Sequence, residues 1–197
     1  MSRLWRLLAI AALAAAVWPE LPRYAAEWRL RAANQQLERA LDGVQQAARQ
    51  GQAGDVAQIR QDAAQGLRLA GQAAAALPGD ARVTLARAVG LLLSGRGGEA
   101  ASLLDAAVAA SERPEFTLNL GRARTTQGDS AGADAAYLRT AWASAQATAT
   151  LPRALRETLQ RQVAELEARL RAGNLPAPPP LRPAPASNPT QLPAPVP

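Results

Sequence analysis

Two carboxylate pairs and two glycine-rich runs are the places where this 197-residue sequence could do chemistry. Glu165 and Glu167 would suit general acid–base work, but two positions apart on a helix they point to different faces. Glu20 and Glu27 border an apolar N-terminal stretch, and Asp129, between Gly128 and Ser130, suits a turn and a helix cap better than catalysis. The run Gly90-Leu91-Leu92-Leu93-Ser94-Gly95-Arg96 has the glycine spacing of a phosphate loop. It lacks the Lys and the Ser/Thr that would hold phosphate and metal, and it follows a helical pattern instead of a strand. Gly95-Arg96-Gly97-Gly98 mimics a dinucleotide fingerprint, again with no strand before it. An inter-helix turn accounts for both runs.

Composition closes other routes. There is no His and no Cys, so Cys/His zinc sites, serine–histidine or cysteine–histidine catalysis and a disulfide framework are all excluded. All 22 cationic side chains are Arg, which removes Schiff-base chemistry. No catalytic residue, metal ligand or cofactor site is expected, and the chain reads as a non-enzyme. The formal charge is +6, but the Arg residues are scattered among acids: Arg169 and Arg171 follow Glu165 and Glu167. A nucleic-acid binder would gather positive charge on one face beside aromatic groups, so no nucleic-acid partner is expected.

The elements that position these residues begin with an export signal. Arg3 and Arg6 precede an uncharged run from Leu7 to Trp18, closed by Pro19 and Glu20. At 1.5 Å per residue this run spans about 18 Å, short of the ~30 Å hydrocarbon core. With Ala14-Ala15-Ala16 as a small-residue cleavage site, it reads as a signal peptide. Extended over residues 4–22, it reads instead as a retained inner-membrane anchor, with Trp5 at one end and Trp18 and Tyr24 at the other as an aromatic belt. Both readings make residues 1–20 a targeting segment and put the rest across the membrane. The body is then periplasmic, held at the inner membrane if the anchor stays. If the segment is cleaved, the body is soluble in the periplasm or secreted.

Beyond Pro22 the apolar residues recur at helical spacing. Tyr24, Trp28, Leu37, Leu41, Val44 and Ala48 predict a helix over 22–50, with a turn at 51–55. Val56, Ile59, Ala63, Leu67, Ala70, Ala74 and Leu77 predict a second helix, which Pro78-Gly79-Asp80 ends, with Asp80 available to cap a third. No period-two run of β-branched residues suggests a strand. Two further blocks then repeat. Gly95 superposes on Gly128, Ala100 on Ala133 and Leu104 on Tyr137, a period of 33 residues.

Asn119-Leu120-Gly121, Gly128-Asp129 and Ala133 resemble a tetratricopeptide repeat, a helix–turn–helix of similar length. Gly121 would let the paired helices approach, Gly128-Asp129 would make the turn, and Asp129 or Ser130 would cap the second helix. Residues 81–113 resemble the repeat less well, with Arg87 where Leu120 stands and Ala88 where Gly121 stands. The block at 24–80 is an irregular hairpin. Leu155, Leu159, Val163, Leu166 and Leu170 form the stripe of a final helix over 151–172, placed to cap the stack; a coiled-coil dimerisation helix is the competing reading. The last 25 residues, from Gly173, hold ten Pro and one charge, and are expected to be a disordered spacer, with docking into an aromatic groove as the other option.

The expected fold is therefore all-α: stacked antiparallel helical hairpins over 21–172, an α-solenoid with repeats at 81–113 and 114–147, a capping helix at 151–172 and a disordered tail at 173–197. In tetratricopeptide proteins ligands usually lie against the first helix of each hairpin. By matching position, the resemblance implies a protein-binding face of Arg82, Leu85 and Val89 from the weaker repeat. From the better one it implies Glu115, Leu118, Asn119, Arg122 and Thr125. These positions do not reproduce the ring of basic residues with which family members clamp a C-terminal carboxylate. The expected function is a non-catalytic adaptor of the bacterial envelope, binding another envelope protein or peptide segment and helping to assemble or position polysaccharide, secretion or cell-wall machinery. The alternative is a self-assembling structural protein, a homo-oligomer joined through the helix at 151–172.

Overall fold

The computed structural model of the chain describes residues 18–51, 55–173 and 178–181. The expectations placed on residues 4–17 and on most of the tail lie outside these. The chain divides into two compact units, residues 1–107 and 108–197. The described residues are helical throughout their regular structure, with no strand among them. None of their helices is long and apolar enough to cross a membrane.

In the first unit, a 3-10 turn at Trp18–Glu20 leads into α1 (Leu21–Gln50), followed by α2 (Val56–Ala74), α3 (Ala81–Leu93) and the start of α4 (Gly97–Ala110). The boundaries follow from local chemistry. Gly51, at φ 61°, takes the left-handed conformation that ends α1. The Asp55 carboxylate accepts from the Gln58 amide at 3.0 Å, and Asp80 accepts from the Arg82 amide at 2.8 Å, satisfying donors left open by the first turns of α2 and α3. The second helix thus ends at Ala74, three residues before the Leu77 that closed its stripe, and a turn carries the chain to Asp80.

α1 packs along α2, and α2 against α3, around Ala26, Leu30, Ala33, Leu37, Ala70, Ala73, Val83 and Ala86. Of the apolar residues whose spacing predicted α1, Leu37 joins this core. Tyr24 and Trp28 are exposed at 62% and 70%, and Leu41 and Val44 also face solvent. The reason is steric. A Cβ on Gly66 of α2 would stand 2.7 Å from Leu37 Cγ and 3.1 Å from the Ala33 carbonyl oxygen. Helices this close accept small side chains at the seam, so α1 turns its alanine face inward and its aromatic face out.

The second unit contains α5 (Pro114–Thr126), α6 (Ser130–Ala143), a 3-10 turn at Ala145–Thr150 and α7 (Arg153–Arg171). Pro114 opens α5 where its missing N–H costs nothing, and the Asp129 carboxylate caps α6 through the Gly132 amide at 2.9 Å. Gly121 does what its position predicts. A Cβ there would stand 2.5 Å from the Tyr137 ring, which lies flush against the α5 backbone. Leu118, Ala133, Tyr137, Ala141, Leu151 and Leu159 form the core of this unit, with Leu155 and Val163 packed against it. The final helix starts later than expected, because Ser144 caps the 3-10 turn through the Ala147 amide and Pro152 stands at the N-cap of α7. Its stripe is used within the chain as far as Val163, whereas Leu170 is exposed.

The 33-residue period has a direct local cause. α3 and α5 have 13 residues each, α4 and α6 have 14 each, and the intervening turns close in the same way. In one, the Gly95 and Arg96 amides donate to the carbonyls of Leu92 and Leu91; in the other, Gly128 and Asp129 donate to Thr125 and Arg124. This is the Schellman arrangement, and it needs the positive φ of 72° and 77° that glycine adopts without strain. Gly90 lies within α3 and Gly97 opens α4, so both glycine-rich runs are the product of a helix cap.

Part of the Pro-rich tail departs from the expectation of a free spacer. Pro179 is buried, and its carbonyl and that of Leu181 accept from Arg139 and Arg124 at 3.0 Å and 2.7 Å. A chain whose prolines have no N–H still carries carbonyl acceptors, and two guanidinium groups on α5 and α6 supply donors for them.

Candidate functional site

The residues assigned to a ligand face fall in two units, three in the first and five in the second. In the first, Arg82 is exposed but committed. Its guanidinium reaches both Glu27 carboxylate oxygens, at 2.6 Å and 3.2 Å, and grips Asp80 at 2.6 Å. It ties the start of α3 to α1. Leu85 is half-buried, and Val89 packs against the alanine-rich core.

In the second unit, α7 and the 3-10 turn before it cover most of the predicted face. Leu118 is buried in the cluster with Leu151 and Leu159. Asn119 is buried too, its amide donating to the Glu115 carbonyl at 2.8 Å. Arg122 is half-buried and donates to Asn119 Oδ1 and, at 2.6 Å, to the Thr150 hydroxyl of the 3-10 turn. Burial holds the Arg122 pKa below its ordinary value, though a guanidinium starts so high that it stays charged. Glu115 and Thr125 remain exposed. The Thr125 hydroxyl bonds the Gly121 carbonyl at 2.9 Å and the Tyr137 hydroxyl at 3.2 Å.

Thr125 also borders a feature no motif announced. A cleft of about 360 Å³ opens beside α6, lined by Thr125, Ala133, Asp134, Tyr137, Leu151 and Leu155. Its walls are mainly apolar, and Asp134 is exposed beside it. Such a cleft suits an apolar side chain or two from a docked peptide. A smaller cleft of about 270 Å³ in the first unit is polar, bordered by Gln36, Arg39, Gln58 and Asp62.

Sequence reading also missed three charged residues. Glu112 forks onto Nε and Nη2 of Arg139, and Arg139 Nη1 reaches the Pro179 carbonyl. Arg124 is buried and donates to the Gly132 carbonyl at 3.1 Å as well as to Leu181. A signal for Arg124 was present: it follows Thr117, Leu120 and Gly121 on the face of α5 turned to α6, where a solvated charge has no place.

Hydrogen bonds from Arg82 hold the Asp80 carboxyl below its ordinary pKa, and those from Arg139 do the same for Glu112. A carboxylate whose folded pKa is depressed contributes stability that is complete above its unfolded pKa and disappears as pH falls through the folded value. With no His, Cys or Lys in the chain, few groups titrate near neutrality. The thermal midpoint is therefore expected to be level between about pH 6 and 9 and to fall below about pH 4. Circular dichroism melts across that range check this; a midpoint that rises on acidification would contradict it.

These features define an all-α protein built of helical hairpins, with an open apolar cleft and a docked proline-rich segment in its second unit. Compared with known proteins, the chain matches no family model, no curated sequence and no solved structure.

Proposed function

We propose that this chain is a non-catalytic, tetratricopeptide-like adaptor of the bacterial cell envelope, which binds a segment of another envelope protein and helps to assemble or position that partner's machinery. The observation that carries this reading is the apolar cleft bordered by Thr125, Tyr137, Leu151 and Leu155. It replaces the broader ligand face implied by the repeat, since Leu118 and Asn119 are covered by the chain itself.

Placement at the outer face of the inner membrane has separate support. Trp18, Leu21, Tyr24 and Trp28 are all exposed, and the last three follow steps of three and four along the first turns of α1. They come directly after the apolar run that ends at Trp18. The Arg31 guanidinium lies 5.6 Å from the centre of the Trp28 ring. Trp and Tyr with nearby Arg suit the headgroup region of a bilayer, where an amphipathic ring meets both phases.

The test is crosslinking in intact cells of the bacterium that makes the protein, with a C-terminal tag and Thr125→Arg plus Asp134→Arg as the paired variant. Both substitutions fall at exposed positions, and the one bond to a core side chain that they remove is that of the Thr125 hydroxyl to Tyr137. The native chain is expected to capture one envelope protein that the variant loses, with both chains recovered in the inner-membrane fraction. Identical capture by the variant would remove the cleft from the proposal, and recovery of both chains away from the membrane would remove the anchor.

A further inference from the structure

The contact between the tail and the α5–α6 hairpin has the chemistry of a ligand site. Pro178, Pro179 and Pro180 carry no N–H, so across these three residues the backbone offers acceptors alone. The two side chains described as hydrogen-bonding to the segment are guanidinium groups, which can only donate. Arg139 reaches the Pro179 carbonyl at 3.0 Å and Arg124 the Leu181 carbonyl at 2.7 Å. Carbonyls two residues apart in an extended proline-rich chain are about 6 Å apart along its axis, so the two cations read a stretch of backbone, not a single group.

Each donor is also held by a contact that does not involve the segment. Glu112 takes Nε and Nη2 of Arg139 in a fork, leaving Nη1 to point at the tail. Arg124 is fixed from within the hairpin by the Gly132 carbonyl at 3.1 Å. Pro179 is buried between exposed neighbours, Pro178 and Pro180, which gives the site one side-chain anchor.

We propose that this face of the α5–α6 hairpin is a recognition site for extended proline-rich chain, and that Pro178–Leu181 occupies it as a tethered ligand which a like segment of another molecule can replace. Neither Arg124 nor Arg139 lines the apolar cleft, so the site is separate from the adaptor reading and does not rest on it.

A tethered segment competes at an effective concentration on the order of millimolar. The full-length chain is therefore expected to bind a fluorescein-labelled synthetic peptide of residues 174–184 weakly. Disabling the resident segment with Pro179→Lys plus Leu181→Lys, which sets like charges against Arg139 and Arg124, should tighten binding of that peptide at least tenfold, read by fluorescence anisotropy. Adding Arg139→Gln to this chain should cancel the gain, while adding Thr125→Arg plus Asp134→Arg should leave it intact. If Arg139→Gln loses helical content, Glu112→Gln is read in its place, with at least a threefold loss expected because Arg139 is then no longer held in its fork. The proposal is overturned if the tail variant binds no more tightly than the native chain, or if the gain survives loss of the Arg139 fork.

Discussion

Replacing Leu159 by alanine is expected to destabilise the C-terminal unit by about 3 kcal/mol, within the range seen when a buried leucine is truncated and the cavity cannot fully collapse. Leu159 is 2% exposed and sits among Leu118, Tyr137 and Leu151, so of the α7 side chains that meet the hairpin it is the most deeply buried. Collapse is hindered on both sides. Tyr137 is held against Gly121 and bonded to Thr125, and Leu151 is fixed by the 3-10 turn through the Thr148 carbonyl at 2.9 Å. Urea unfolding followed by circular dichroism should show an earlier transition for the variant. The same measurement separates two uses of α7. If its stripe served mainly to join copies of the chain, Leu159→Ala would change particle size and leave unfolding at low concentration as it was. That result would sink the intramolecular role.

Gly121→Ala is expected to cost about 2 kcal/mol, even though alanine favours a helix over glycine by about 1 kcal/mol. The added methyl would stand 2.5 Å and 2.6 Å from two carbons of the Tyr137 ring. That ring is buried and its hydroxyl is bonded, so moving it aside gives up packing and a hydrogen bond. The penalty should shrink in the double variant with Tyr137→Leu, because the two residues are in direct contact and their effects are not additive. Additive losses in the unfolding midpoint would show that the glycine is needed for some other reason.

Much of the fold was legible because its punctuation is chemical. Asp80 and Asp129 cap helices where their spacing implied, and Gly95 and Gly128 close the two turns that gave the 33-residue period. What was not legible was direction. Alanine carries too little hydrophobic signal to compete with tryptophan, so the pattern that marks α1 runs through Tyr24 and Trp28, whereas the buried face is the one that carries Ala26, Ala33 and Ala40. The same limit explains Leu118 and Asn119. Position within a hairpin placed them on the first helix, but only the path of the chain after Ala143 brings Thr150, Leu151 and Leu159 over them. The tail contact was hidden for another reason. Composition describes what a proline-rich segment cannot do for itself and is silent on the donors that Arg124 and Arg139 hold out to it.

The seam between α1 and α2 has a consequence in the genetic code. Ala26, Ala33 and Ala40 of α1 and Ala63, Ala70 and Ala73 of α2 are wholly buried. A single base change at the first or second position of an alanine codon leads to glycine, valine, serine, threonine, proline, aspartate or glutamate. Glycine weakens the helix by about 1 kcal/mol and proline by about 3. Valine and threonine overfill a gap already at contact distance, and the acids bring a charge into a place with no partner. Serine is the mildest, because its hydroxyl can bond the carbonyl one turn back. The stretch of sequence that looks least distinctive is thus the one that tolerates the fewest replacements, and amino-acid changes should be accepted more readily at the exposed tryptophans than at the alanines behind them.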